Sequence, residues 1–95
     1  PRYRLDFTVS ENELDISVEK NTDVNRRGLT LIADYTLVDL ATNKQILSGK
    51  TFSRVAYDRI PSEFANIQAH RNALDRAAGE IASNITTRLG AFFSN

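Results

Sequence analysis

Residues able to do covalent or metal chemistry are few in this chain. Its 95 residues contain one histidine, His70, and no cysteine. Cysteine nucleophiles, disulfide scaffolds, iron–sulfur clusters and thiolate-bound zinc are therefore excluded. A catalytic histidine needs a nucleophile beside it and an acid to orient it. Serine and aspartate are plentiful, but no nucleophile-elbow pattern accompanies them. His70 lies three residues after Ile67 and four before Leu74, beside an apolar stripe, and reads as a packed or edge-of-core side chain. With one histidine there are few ways to build a transition-metal site. The expectation is no catalytic residue, no cofactor and no metal.

Three short motifs fail on closer reading. Ser48-Gly49-Lys50-Thr51 resembles the end of a phosphate-binding loop, but Lys44 stands where its first glycine belongs. Asp23-Val24-Asn25 with Gly28 resembles a calcium loop, yet Arg27 occupies a position that would repel the ion. Asn84-Ile85-Thr86 has the form of a glycosylation site, but Ile85 belongs to the apolar stripe of a helix.

The basic residues carry more information. Arg26, Arg27, Lys50 and Arg54 are the candidate ligand-binding residues, and Lys44 falls at a turn. Lys50 and Arg54 share strand parity with Ser48 and Phe52. Two cations flanking an aromatic ring suit an anionic amphiphile, charge for phosphate and ring for acyl chain. The competing reading is a solvated strand face with edge-protecting cations.

The elements that must position these residues follow from periodicity. Tyr3, Leu5, Phe7 and Val9 alternate with Arg4, Asp6, Thr8 and Ser10, which predicts a half-buried strand. Residues 10–13 are turn-like, and alternation resumes at Leu14, Ile16 and Val18, so 3–19 reads as a hairpin. Asn21 to Gly28 is polar and reads as a loop. Leu29 to Val38 is the strongest strand, 41–44 a tight turn, and Gln45 to Tyr57 a further strand with a bulge expected at Gly49. Beyond Pro61 the period becomes 3.6. Ser62 is the expected N-cap, and Ile67, Leu74, Ala78, Ile81, Ile85, Leu89 and Phe92 form one stripe of a helix of about 30 residues. The expected class is α+β: one domain over residues 1–95, an antiparallel or mixed sheet of three to four strands with a long C-terminal helix on one face. One helix covers part of such a sheet, so a second covering layer is expected from elsewhere.

Twelve basic residues balance twelve acidic ones, which argues against whole-domain binding of nucleic acid. No apolar run reaches the roughly 18–20 residues of a membrane span. The chain starts Pro1-Arg2 and contains no methionine, so it reads as a processed or trimmed piece.

The ordered series Tyr3-Arg4-Leu5-Asp6, Leu29-Thr30-Leu31, Tyr35 to Thr42, Leu47-Ser48-Gly49-Lys50, Ala56-Tyr57-Asp58, Ser62-Glu63-Phe64-Ala65, Asn72-Ala73, Arg76-Ala77-Ala78 and Thr87-Arg88-Leu89 resembles the LPS-assembly lipoprotein family (LptE, or rare lipoprotein B) in its alphaproteobacterial form. The resemblance runs the length of the chain. It implies a sheet with two helices on one face, of which the first strand and first helix would lie outside this chain. It also allows residues 3–19 to form one long, bent strand. The implied role is non-catalytic. Such a protein is lipid-anchored through an N-terminal Cys, absent here, to the periplasmic face of the outer membrane. It sits inside an LptD-like β-barrel, helps assemble it, and binds lipopolysaccharide. The alternative is a periplasmic transport-auxiliary lipoprotein of an ABC-type system that binds protein or lipid. A small hydrolase using His70 is a third, weaker reading.

Overall fold

The computed structural model describes residues 2–17 and 24–94. Three strands, β1 (Tyr3–Asp15), β2 (Asn25–Asp39) and β3 (Lys44–Arg59), precede one helix, α1 (Glu63–Phe93). The strands form an antiparallel meander in the order β1-β2-β3. This is the expected α+β architecture, with three strands rather than four.

β2 is the spine. Its alternation places Leu29, Leu31, Ala33, Tyr35 and Leu37 on one face, and all five are buried. α1 lies over that face and packs on β2 and β3. The approach is close because small residues meet there: Ala73 and Ala77 of the helix, Ala33 and Ser53 of the sheet, are all essentially inaccessible. Ile81 and Ile85 extend the contact toward the C-terminal end of α1.

Several sequence expectations need correction. Residues 10–13 do not turn: β1 is one strand through Asp15, since those residues stay in register with Leu29 to Ile32. Val18 and Glu19 of the expected second hairpin strand lie outside the described residues. The expected loop to Gly28 ends earlier, because β2 begins at Asn25 and carries Arg26 and Arg27 within it. The bulge is not at Gly49. The register shifts where Leu37 pairs with Leu47 and Val38 with Gln45, which leaves Ile46 as the extra residue. Gly49 instead pairs with Tyr35, whose ring lies across it: a Cβ there would meet the hydroxyl at 2.5 Å. Glycine serves here as the floor for a cross-strand aromatic ring.

The turn between β2 and β3 holds Asn43 in the left-handed region (φ 57°), which asparagine tolerates well. The helix start is as expected: Ser62 accepts a bond from the Ala65 amide, and Glu63 sits in the first turn. Asn66, buried, accepts from the Ile60 amide and donates to its carbonyl, closing the link from β3 into α1.

The helical stripe is turned from its expected line. Asn66, Ala73, Ala77, Ile81 and Ile85 are buried, Leu74 and Leu89 partly so, whereas Ile67 and Ala78 are exposed. The cause is a polar seam between α1 and β3. Arg76 donates to the Ala56 carbonyl (3.2 Å), Ser53 donates to Glu80 (3.0 Å), and Asn84 donates to the Thr51 hydroxyl (2.9 Å). These helix residues recur every four positions and draw α1 over β3.

Two substitutions test this packing. Ile81→Ala should cost about 2–5 kcal/mol in urea unfolding, and a loss below about 1 kcal/mol would place it outside the core. Gly49→Ala should cost about 1–3 kcal/mol, because the buried Tyr35 ring has to move.

Candidate functional site

The sheet has two unlike faces, and each carries a different candidate feature. On the face away from α1, β3 presents Lys50, Phe52 and Arg54 in the shared parity expected of them. The Arg54 guanidinium lies 5.5 Å from the centre of the Phe52 ring, and Phe52 is 56% exposed. Thr30 and Ile32 of β2 join these three residues around a shallow depression. Lys50 Nζ is 3.7 Å from Asp34 on the neighbouring strand. Arg26 shares this face and pairs with Asp58 at 3.0 Å.

Arg27 stands apart from the other three. Strand alternation turns it to the helix face, where its Nε lies 3.8 Å from Glu13 Oε1, buried and without a hydrogen bond. Three of the four predicted ligand residues therefore share one surface, and the fourth lies beneath the sheet's other side.

On the helix face, α1 meets β1 near the two ends. At one end the Tyr3 and Phe93 rings meet at a tilt of 58°, with centres 5.0 Å apart. At the other, His70 Nε2 lies 2.8 Å from Glu11 Oε1 and 3.5 Å from Glu13 Oε2. Between them runs an apolar groove of about 340 Å³, walled by Leu5, Phe7 and Val9 of β1 and by Ala78, Ala82 and Leu89 of α1. Phe7 is 59% exposed and Val9 48%. The expectation that one helix leaves part of the sheet uncovered is met here, on β1.

The cluster at the His70 end escaped sequence reasoning. Glu11 and Glu13 had read as turn residues. As strand residues two apart they point to the same face, toward α1. Glu11, Glu13 and His70 each bring one ligand-type atom, all within 4.8 Å of one another, a grouping that among the described residues could hold a metal ion. The Tyr57 hydroxyl donates to Glu13 Oε1 at 2.5 Å, and the Tyr57 and His70 rings meet edge-on. His70 is an edge-of-core residue, as expected. Its charged neighbours are its main contacts.

Burial, and after it the hydrogen bond to Glu13, pushes the Tyr57 hydroxyl from 10.0 up to about 12. Below pH 10 the phenol is protonated whether the chain is folded or not. Above it the unfolded chain ionises first, so this contribution to stability is lost as pH rises from about 10 to 12. Chemical unfolding at several alkaline pH values should show that decline, and Tyr57→Phe should flatten it.

No protein-family model matches the chain, and no curated protein matches it. A solved structure of a candidate lipoprotein from Caulobacter crescentus is similar, with a TM-score of 0.82 at 24% identity over 98% of this chain and 67% of that one. That likeness establishes a shared fold: the three-stranded meander with its long helix exists as a folded unit in another protein.

Proposed function

We propose that this chain is the body of a non-catalytic, lipid-anchored envelope lipoprotein. In this reading it plugs and helps assemble a large LptD-like β-barrel at the periplasmic face of the outer membrane, and handles lipopolysaccharide there. The observation that carries the reading is the uncovered sheet face, where Lys50 and Arg54 flank exposed Phe52 and Arg26 lies further along the same face. Such a surface offers charge to lipid phosphates and a ring to acyl chains. The shape supports it: the molecule measures 58 × 23 × 17 Å, slender enough for the lumen of a large outer-membrane barrel. The similar Caulobacter crescentus structure, described as that of a candidate lipoprotein, adds support to the lipoprotein part. No helix among the described residues is long and apolar enough to cross a membrane, so attachment through a lipid anchor fits the reading.

The test is charge reversal on the outer face. Arg26→Glu, Lys50→Glu and Arg54→Glu together should leave the circular dichroism unchanged. They should weaken binding to lipopolysaccharide micelles by about tenfold or more, since each charge-assisted bond is worth roughly 1.5–3 kcal/mol. Affinity capture of the lipidated protein from outer membranes should recover a large β-barrel. Unchanged lipopolysaccharide binding and unchanged capture by the reversed variant would sink the proposal. Recovery of permease or solute-binding components would replace it with the ABC-type auxiliary reading.

A further inference from the structure

We propose that Glu11, Glu13 and His70 bind a single divalent cation of zinc type, which clamps the N-terminal half of α1 to the edge strand β1. The donor set suits that class. Imidazole nitrogen and carboxylate oxygen are both zinc ligands, and three protein ligands leave the fourth corner of a tetrahedron to water. Calcium asks for six to eight oxygens, which two carboxylates do not supply, and magnesium binds all-oxygen octahedra without imidazole.

The geometry is already assembled. The donor atoms come from two elements and lie within 4.8 Å of one another, so ordinary rotamer adjustment brings them to a common centre. Glu13 is divided between two tasks. Its Oε1 accepts from the Tyr57 hydroxyl and faces Arg27 Nε, while its Oε2 faces His70. A ligating carboxylate held in this way on its far oxygen is the usual outer shell of a metal site. Arg27, buried at Nε and without a hydrogen bond, offsets one of the two carboxylate charges, and Arg59 of the adjoining cleft is paired with Glu63 at 3.8 Å. His70 and Glu13 also line a cleft of about 470 Å³, together with Glu63, Arg59 and Arg71, and this opening gives the fourth ligand its place.

An imidazolium paired with two carboxylates uses the same atoms, and the two cases part company when zinc is added. The chain is stripped with a chelator and titrated with zinc chloride by calorimetry. His70 is the sole histidine, so its ring protons report directly by NMR. One zinc per chain, a rise in melting temperature and a shift of the His70 ring signals are expected. Glu11→Gln and His70→Ala should each weaken binding by at least about tenfold, and Tyr57→Phe, acting through Glu13, by about 10-fold. Asp34→Asn, on the opposite face, should bind as the parent does. Circular dichroism before zinc confirms that each variant is folded. Absence of saturable binding, unmoved His70 signals at saturation, or equal affinity in His70→Ala would overturn the proposal and leave an ion pair only.

Discussion

An apolar sheet face has to be covered by a helix narrower than itself. Three strands about 4.8 Å apart present a surface of roughly 14 Å, while a helix with its side chains is about 10–12 Å across. The position of α1 decides what is sealed and what stays open. It settles over β2 and β3, where Ala73 and Ala77 allow it to sit low against Ala33 and Ser53. The bonds from Arg76, Glu80 and Asn84 to β3 hold it there. β1 then keeps its partners on β2 but lacks a roof over Phe7 and Val9. The apolar groove and the two end contacts at Tyr3 and His70 all result from this one offset.

The offset also separates the molecule's chemistry by face. Lys50 and Arg54 lie on even-numbered positions of β3, away from the helix. Glu11 and Glu13, at odd-numbered positions of β1, lie on the helix side, where His70 reaches them. A sheet only one side chain thick thus keeps Lys50 and Arg54 apart from Glu11 and Glu13. The surface proposed for lipid and the cluster proposed for metal are consequently independent.

Much of this was legible in the residues. The alternation of Leu29 to Leu37 identified the spine, and the change of period after Pro61, with Ser62 as cap, identified the helix. The errors share a physical origin, in that each depended on a partner distant in sequence. Glu11 to Glu13 looked like a turn because nothing local shows that β2 pairs with them. Ala78 looked buried because apolar periodicity cannot reveal that polar bonds to β3 rotate the helix. Gly49 looked like a bulge because its true reason, the Tyr35 ring, comes from the adjacent strand. The His70 site was invisible for the same cause, since its donors are 57 or more positions away in sequence.

The extra residue at Ile46 acts as a parity switch for the whole third strand. The turn through Asn43 starts the ladder with Asp39 opposite Lys44 and Val38 opposite Gln45. Carried on without interruption, that ladder would set Leu29 against Arg54, Leu31 against Phe52 and Ala33 against Lys50. Each cation would then point under the helix, and Ser53, Val55 and Tyr57 would face water. One unpaired residue, spent near the turn, returns the count to the phase in which Leu29 meets Val55 and Leu31 meets Ser53. Which side of this protein is charged and which is greasy is thus decided roughly 13–36 Å from the residues concerned, at about 3.3 Å of strand per position, by a single step in the pairing.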